Sequence, residues 1–233
     1  MKYLFVTGAS SGIGLATAER FLQAKFEVIN LSRRPCPIDQ VHSYPADLSS
    51  HELQSVIELV ITEHFNADND KEIHLVHNAA QFSLDNALDT SDESLRAILQ
   101  VNVIATNTLN RLIIPKMGKN SSVIFVGSTL SEKAVSNTFS YVTSKHAQLG
   151  MMKSLCQDLT NPDVHVAAIC PGFTDTAMLR ANAPEEILVQ LGARTAFGRL
   201  ISPEEIAEAI FWVGQNPVVN GSVIHANLGQ KEW

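Results

Sequence analysis

The sequence predicts an α/β fold in which a parallel β-sheet is covered by helices on both faces. Short apolar runs alternate with longer stretches of helical spacing along the whole chain, and Gly, Pro, Asn, Asp or Ser residues bound each run. Runs of this kind are typical of strands that are buried on both faces of a parallel sheet. We therefore expect a single doubly wound domain of the Rossmann type over residues 1–233, with a six- or seven-stranded parallel sheet and ligands at the carboxyl ends of the strands.

Six apolar runs are the predicted strands, and two helix starts are visible between them. The runs cover residues 3–6, 28–31, 73–76, 123–126, 164–169 and 223–224. A long helical pattern over residues 95–113 opens with a candidate capping box of Thr90 with Glu93. Nearer the carboxyl end of the chain, Ser202 is the expected N-cap of another helix, with a proline at the first helical position and Glu205 as the capping partner.

The composition excludes several classes of protein. The chain has 233 residues and a formal net charge of −7, an acidic balance that argues against non-specific binding of nucleic acid. No apolar run approaches the roughly 18 residues of a membrane span or the roughly 7–15 of a secretory signal. The three cysteines are odd in number and widely spaced, which fits neither a disulfide framework nor a zinc pattern. We expect reduced thiols in a cytoplasmic protein without a metal site.

A glycine-rich turn separates the first predicted strand from the first helix. It reads Thr7-Gly8-Ala9-Ser10-Ser11-Gly12-Ile13-Gly14. The glycines allow the backbone to turn tightly and to approach a ligand without a Cβ in the way. The start of the following helix offers free N–H groups and the positive end of the helix dipole to a pyrophosphate. The segment predicts a dinucleotide-binding turn, and an ordinary strand–helix turn is the alternative.

A second group of polar residues lies in the middle of the chain. Ser128 follows an apolar strand, and Tyr141 and Lys145 come thirteen and seventeen residues later. Positions i and i+4 share one face of a helix, so the phenol and the ammonium can act on one site. A Tyr-x3-Lys pair is common by chance, but it is specific when it follows both a serine at a strand end and the glycine-rich turn.

The Gly-x3-Gly-x-Gly spacing after Thr7 and the Tyr-x3-Lys pair together resemble the short-chain dehydrogenase/reductase family. The resemblance extends over essentially the whole chain. It implies an oxidoreductase that moves a hydride between a nicotinamide cofactor and a carbonyl or secondary alcohol. The residues that match the family's cofactor site are Gly8, Ser10, Ser11, Gly12, Ile13, Gly14, Ser32, Arg33, Arg34, Asp47, Leu48, Asn78, Ala79, Ala80, Tyr141, Lys145, Pro171, Gly172, Thr174 and Thr176. Within this set, Asp47 matches the family's adenine-contacting residue, with capping of the following helix as an alternative that can hold at the same time. Asn78 is expected to tie neighbouring strand ends together.

The end of the second strand predicts which cofactor is used. Family members that use NAD usually carry an acid at the position aligned with Ser32. This chain has a serine there in place of an acid, and Arg33 and Arg34 come directly after it. A carboxylate would repel a 2′-phosphate, but a guanidinium binds it with paired charge-assisted hydrogen bonds. We expect NADP, with Arg33 as the main contact and NAD as the alternative. For the arginine pair itself, a solvated loop is the alternative.

Four residues match the family's catalytic set, namely Asn102, Ser128, Tyr141 and Lys145. The resemblance implies that Tyr141 is the general acid and base, and that Lys145 lowers the tyrosine pKa and holds the nicotinamide ribose. Ser128 would donate a hydrogen bond to the substrate oxygen, where negative charge develops. Asn102 would hold a water near Lys145.

Residues 175–197 match the family's mobile substrate loop, and their apolar side chains suit an apolar small-molecule substrate. The family commonly forms homodimers or homotetramers through two long helices, here around residues 92–117 and 141–159. A different class of function, a non-catalytic NADP-binding sensor or scaffold, is the alternative to an enzyme. A change of chemistry to epimerisation or dehydration has no support in a domain of this minimal length.

Overall fold

The computed structural model describes residues 1–65 and 71–230, and these contain one parallel sheet. Its strands are β1 Lys2–Thr7, β2 Glu27–Ser32, β3 His42–Pro45, β4 Glu72–His77, β5 Ser121–Val126, β6 Val164–Pro171 and β7 Val223–Ala226. The strand order is β3-β2-β1-β4-β5-β6-β7, so the predicted doubly wound, Rossmann-type fold is confirmed. Strand β3 is not among the six predicted runs, because this short edge strand ends in a proline and carries no apolar run.

Helices cover both faces of the sheet. They are α1 Gly12–Gln23, α2 Leu53–His64, α3 Asp92–Leu99, α4 Ala105–Ile113, α5 Phe139–Asp158, α6 Ala177–Asn182, α7 Glu185–Ala193 and α8 Pro203–Gln215. A π-helical turn, Gln100–Ile104, joins α3 to α4, and the 3-10 turn Thr129–Ser131 follows β5. Within the described part of the chain, no helix combines the length and apolar character needed to cross a membrane.

The alternation of side chains along the strands builds a separate core on each face of the sheet. In β1, Leu4 and Val6 pack into the core that includes Phe21 of α1 and residues of α8. Tyr3 and Phe5 of the same strand face the opposite core, to which α2, α4 and α5 contribute. Because successive residues of a strand point to opposite faces, one apolar run supplies both cores.

The chain changes direction within the sheet between β1 and β4. Strands β2 and β3 lie on one side of this pair and β5 to β7 on the other, so the loops that follow β1 and β4 diverge and leave a crevice. Asn78 ties the two strand ends together, as predicted. Its Nδ2 donates to the carbonyl oxygen of Thr7 at 2.9 Å, and its backbone N–H donates to Thr7 Oγ1 at 3.0 Å.

The predicted start of α8 is confirmed. Ser202 Oγ accepts a hydrogen bond from the backbone N–H of Glu205 at 3.3 Å, and the N–H of Ser202 donates to Glu205 Oε2 at 2.9 Å. Arg199 also forms two 2.7 Å hydrogen bonds with the Glu205 carboxylate. These donors lower the pKa of Glu205 to about 2.

The predicted capping box of Thr90 with Glu93 is wrong. Helix α3 is capped one residue later by Ser91, whose Oγ accepts from the backbone N–H of Ser94 at 3.2 Å. The hydroxyl of Thr90 instead donates to the carbonyl oxygen of Asn86 in the preceding turn. Thr90 and Ser91 both carry a hydroxyl group that can cap a helix, and the sequence pattern alone did not show which of them does so.

Two histidines of β4 face opposite cores, as their spacing predicts. His74 Nδ1 lies 2.6 Å from Ser122 Oγ on one face of the sheet. His77 packs against Phe125 on the other face, where its Nε2 lies 2.7 Å from Asn110 Oδ1. The His77 side chain is fully enclosed, and burial lowers its pKa from 6.5 to about 4.

This buried imidazole predicts how the stability of the fold depends on pH. The folded state binds fewer protons at His77 than the unfolded chain between these two pKa values. Its contribution is therefore complete above the unfolded pKa of about 6.5 and is lost as the pH falls toward 4. We expect the free energy of unfolding to drop by about 2 kcal/mol from this group between about pH 7.5 and pH 5. Urea unfolding of wild type and His77→Asn at several pH values measures it.

The matched control is His51→Asn, since His51 is exposed at the surface. We expect the His77→Asn profile to be flatter than that of the wild type by the stated amount, while the His51→Asn profile keeps its slope. Equal slopes for wild type and His77→Asn would contradict the prediction.

Candidate active site

A cleft of about 850 Å³ opens at the carboxyl ends of the strands and holds most of the predicted site residues. Two of the predicted residues do not line it. Gly14 lies behind the glycine-rich turn, against Gly8 and Asn78. Asn102 is completely buried in the π-helical turn. The predicted residues that line the cleft are Gly8, Ser10, Ser11, Gly12, Ile13, Ser32, Arg33, Arg34, Asp47, Leu48, Asn78, Ala79, Ala80, Ser128, Tyr141, Lys145, Pro171, Gly172, Thr174 and Thr176.

The glycine-rich turn forms one wall of the cleft in a conformation that needs glycine. Gly8 and Gly12 have φ angles of +77° and +56°, in the left-handed region that other residues rarely adopt. The turn is held from below, because the N–H of Ala9 donates to Asn30 Oδ1 at 2.9 Å. Ser11 is the N-cap residue of α1, but its side chain does not cap the helix. The first amides of α1 are therefore free to bind an anion.

The end of β2 presents two arginines to the cleft. Ser32 Oγ accepts from Asn30 Nδ2 at 3.0 Å and donates to the carbonyl oxygen of Arg34 at 2.5 Å, which fixes the start of the loop. The side chains of Arg33 and Arg34 are exposed. Within residues 1–65 and 71–230, neither guanidinium forms an ion pair. Their charge is thus available to a ligand in the cleft.

Asp47 lies beside Arg33 and has a local structural role. Its Oδ1 accepts hydrogen bonds from the backbone N–H of Ser49 at 2.9 Å and from Ser49 Oγ at 2.7 Å. These bonds, with a smaller effect of Arg33, lower the pKa of Asp47. The alternative that Asp47 caps the next helix is wrong, because the N-cap position of α2 is Glu52. The carboxylate stays charged at the mouth of the cleft.

Ser128 and Tyr141 meet on the opposite side of the cleft from these arginines. Ser128 Oγ accepts from the N–H of Leu130 at 3.1 Å, and its own N–H donates to Ser131 Oγ at 3.0 Å. This reciprocal cap fixes the serine at the end of β5. The Ser128 hydroxyl also hydrogen-bonds the phenol of Tyr141, near the start of α5. The edge of the Phe82 ring packs on the tyrosine with centroids 5.1 Å apart.

Lys145 is completely buried below Tyr141. Its Nζ donates to the carbonyl oxygen of Val126 at 2.8 Å and to Gln148 Oε1 at 3.0 Å. An ammonium has three protons, and the described residues accept two of them, which leaves one for a ligand in the cleft. The Nζ atom lies 5.6 Å from the centroid of the Tyr141 ring. The i and i+4 spacing has brought the two side chains together, as expected.

Gln148 connects the lysine to the π-helical turn, and it is not among the residues predicted from the sequence. Its Nε2 donates to the carbonyl oxygen of Asn102 at 2.7 Å while its Oε1 accepts from Lys145. The Asn102 side chain is fully used elsewhere, since it bonds the backbone of Gln81 and the Ser144 hydroxyl. Gln148 thus bridges Lys145 and the Asn102 carbonyl, and the water that the resemblance places near Lys145 stays a prediction. A polar residue three positions after Lys145, on the same helical face, was the available signal.

Burial dominates the ionisation of the tyrosine and the lysine. It raises the pKa of Tyr141 to about 12, although the hydrogen bond from Ser128 acts in the opposite direction. It lowers the pKa of Lys145 to about 8. Burial sets the direction of the Tyr141 shift here, and a lowering of the tyrosine pKa by Lys145 stays a prediction. Desolvation penalises a buried charge, and the ammonium is directed at Val126 and Gln148 instead of the phenol.

The end of β6 closes the cleft. Pro171 ends the strand and Gly172 lies against Asn227, so that an added Cβ would come within 3.0 Å of it. Thr174 Oγ1 donates to the Gly172 carbonyl oxygen at 3.1 Å. Thr176 caps α6 and packs its methyl group against Gly12 of the glycine-rich turn. The strand end and the turn therefore form one continuous surface.

The family model described as short chain dehydrogenase matches residues 2–187. This match covers the glycine-rich turn, the strand-end serine and the tyrosine–lysine pair described above. The chain belongs to the short chain dehydrogenase family. It is an enzyme of an oxidoreductase family whose members bind a nicotinamide cofactor, and the resemblance stated from the sequence is confirmed.

Relatives of this short chain dehydrogenase match along almost their entire length. The chain is 26% identical to the 3-oxoacyl-acyl-carrier-protein reductase FabG of Thermotoga maritima, over 98% of this chain and 97% of the relative. It is 29% identical to ipsdienol dehydrogenase of Ips pini, over 93% and 92% of the two chains. Among solved structures, ligand-free aldohexose dehydrogenase of Thermoplasma acidophilum superimposes with a TM-score of 0.90 at 27% identity, covering 98% of this chain and 93% of that one.

Proposed function

We propose that this short chain dehydrogenase transfers a hydride between NADP(H) and a carbonyl or secondary alcohol, with Tyr141 as general acid and base. The observation that carries the proposal is the meeting of Ser128, Tyr141 and Lys145 in one cleft with the glycine-rich turn. A binding protein would need the turn but not this group of proton donors. The site also fits a dinucleotide, because glycines leave room beside the turn and the amides of α1 are uncapped.

NADP(H), when bound, would supply or accept the hydride. In reduction, Tyr141 donates its phenolic proton to the substrate oxygen, and in oxidation it removes the alcohol proton. Ser128 donates a hydrogen bond to the same oxygen and stabilises the charge that develops there. The neutral phenol favoured by a pKa of about 12 is the form that donates a proton in reduction.

Lys145 acts from below the tyrosine. With a pKa of about 8 it is mostly an ammonium at neutral pH, and its third proton is the one we assign to the nicotinamide ribose. Gln148 and the Val126 carbonyl hold the other two protons, so the ammonium has little freedom to move. The residues of the chain thus preset the positions of every donor before a substrate enters.

Arg33 and Arg34 support NADP over NAD. For Arg33→Gln we expect the affinity for NADPH to fall roughly 10- to 100-fold and the affinity for NADH to stay unchanged, because a charge-assisted contact with the 2′-phosphate is lost. Titration of NADPH and NADH, followed by nucleotide fluorescence, measures both values. Arg34→Gln should have a smaller effect, since we assign the main contact to Arg33.

Arg96→Gln is the matched control, because Arg96 is an exposed residue of α3 paired with Asp92. It removes the same charge and should leave both affinities unchanged. Tighter binding of NADH than NADPH by the wild type would overturn the assignment of NADP.

Oxidation of NADPH against a panel of ketones, aldehydes, quinones and β-keto esters tests the catalytic proposal. Turnover that prefers NADPH over NADH supports it. Binding of NADPH without turnover of any panel member would favour the sensor or scaffold function.

Light scattering tests the further proposal of a homodimer or homotetramer, and a monomer at high concentration would contradict it. The three free cysteines agree with a cytoplasmic location.

A further inference from the structure

The cleft carries a positive charge that the chain as a whole does not. The chain has a net charge of −7, yet among the described residues that line the cleft five are basic and Asp47 is the single acid. The basic residues are Arg33, Arg34, Lys133, Lys145 and Arg194. Concentrated positive charge in a cleft attracts anionic ligands. The cofactor phosphates account for only part of this charge, because the arginines at the end of β2 already serve them.

We infer that Arg194 binds an anionic oxygen group, a carboxylate or a phosphate, on the substrate of the proposed reaction. The inference rests on the proposed function and specifies its substrate class. Arg194 lines the cleft directly after α7, within residues 175–197, which match the family's substrate loop. Its Nε atom is buried and has no hydrogen-bond partner among the described residues. The Arg194 side chain as a whole is half-buried, and no ion pair with the described residues neutralises its guanidinium group, so its charge is open to an anion in the cleft.

The other two arginines of this region differ from Arg194 in one respect. Arg180 forms hydrogen bonds to both carboxylate oxygens of Asp175, at 2.6 and 2.8 Å. Arg199 forms the same kind of bidentate contact with the carboxylate of Glu205. Each of these two guanidinium groups already holds an oxyanion from the protein. Arg194 also lines the cleft, but no carboxylate from residues 1–65 or 71–230 pairs with its guanidinium group.

The backbone around Arg194 is firmly held, so the side chain has a fixed origin. The N–H of Arg194 donates to the carbonyl oxygen of Leu191 at 3.2 Å. The next residue, Thr195, is buried, and its Oγ1 lies 3.0 Å from the carbonyl oxygens of both Gly192 and Arg199. These bonds close a tight turn at the carboxyl end of α7. A binding group placed on such a turn loses little conformational entropy when it meets its ligand.

The site at Arg194 is separate from the arginines that we assign to the cofactor. Arg33 follows β2, whereas Arg194 belongs to the segment after β6, and β1, β4 and β5 lie between these two strands. Four strand spacings place β2 and β6 roughly 19 Å apart. Ser128 follows β5, next to β6, so the proposed reacting groups lie toward the Arg194 end. We therefore assign the two arginines to different ligand groups.

Large apolar side chains make up much of the lining at this end, beside polar residues such as Thr129, Lys133 and Asn182. The apolar residues are Phe82, Leu130, Val135, Met178, Leu179 and Leu191. A partly apolar wall beside the Arg194 guanidinium suits a substrate that has an apolar body and an anionic group. The expectation of an apolar substrate is thereby sharpened to a keto acid or a ketone phosphate, or to the matching hydroxy compound.

Matched pairs of ketones test the inference. Three keto acids, pyruvate, levulinate and 6-oxoheptanoate, are each compared with their methyl esters. Dihydroxyacetone phosphate is compared with dihydroxyacetone. The two kinds of pair distinguish a carboxylate site from a phosphate site. For wild type we expect kcat/KM with NADPH to favour the charged member of at least one pair by roughly 10- to 100-fold, the size of a charge-assisted contact. In Arg194→Gln the preference should fall below about threefold, while Arg96→Gln should retain it.

A binding measurement separates this inference from the proposed chemistry. The charged member of the preferred pair should raise the melting temperature of the NADPH-loaded wild type and not that of NADPH-loaded Arg194→Gln. That result without turnover would support the anion site while counting against the proposed reaction. The inference would be overturned if the charged and uncharged members of every pair gave equal kcat/KM values and equal melting temperatures. It would also be overturned if Arg194→Gln kept the preference for the charged member.

Discussion

Replacement of Tyr141 by phenylalanine is expected to lower kcat for carbonyl reduction by about 100- to 10,000-fold, the range that a general acid supplies. The substitution removes the phenolic proton donor and the hydrogen bond with Ser128, but it keeps the ring that packs against Phe82. The fold and the affinity for NADPH should therefore be preserved. Steady-state kinetics on any ketone that the wild type reduces, with a parallel NADPH titration, provides the measurement.

The control for this experiment is Tyr44→Phe. This substitution also removes hydroxyl contacts, here with Glu63 and His64, but Tyr44 lies on β3 outside the cleft. Its variant should keep the activity of the wild type. If Tyr141→Phe retained turnover within a factor of about three, well short of the general-acid range, with NADPH still bound, Tyr141 would not be the proton donor.

The second large effect is expected on the fold, from a single methyl group at Gly14. A Cβ at this position would overlap the carbonyl oxygen of Gly8 and lie 2.5 Å from Asn78 Nδ2. Both atoms belong to the connection between β1 and β4, and neither can move without breaking hydrogen bonds. We expect Gly14→Ala to lose about 3 kcal/mol, the upper end of overpacking costs, and to melt roughly 6–12 °C lower. NADPH binding should weaken with it, because the turn moves.

Gly150→Ala is the contrasting variant. Gly150 lies within α5, and a Cβ there would meet no atom within 4 Å. Alanine is the better helix former by about 1 kcal/mol, so this variant should be as stable as the wild type or more stable. Thermal unfolding and NADPH titration of the two variants side by side make the comparison. A wild-type melting temperature for Gly14→Ala would show that the turn tolerates a side chain.

The features that the sequence predicted well share a physical origin. The alternating strands and helices, the Ser202 cap and the Asn78 link all follow from local patterns or from one rule about strand ends. Buried strands have a strong compositional signal because both of their faces are covered. A capping box is recognised from two residues three positions apart. The N-cap of α3 nevertheless lies at Ser91 and not at Thr90, so the predicted position was wrong by one residue.

The features that were missed depend on tertiary contacts. Gln148 is informative only when the π-helical turn brings the Asn102 carbonyl within reach of its amide. The pKa of Tyr141 depends on enclosure by the surrounding chain, which no spacing rule reports. Arg194 differs from Arg180 and Arg199 only because their acidic partners fold against them. In each case the sequence supplied the residue type, and the environment decided its role.

The bridge made by Gln148 has a consequence for proton traffic. A carboxamide that donates to one oxygen and accepts from one ammonium keeps its own protons, since passing one along would require an unstable tautomer of the amide. The link from Lys145 through Gln148 to Asn102 is therefore not itself a proton relay. Under the proposed chemistry, the proton that Tyr141 gives up in each reduction has to return by another route, and the cleft that the phenol lines provides one. Reprotonation and product release would then share one path.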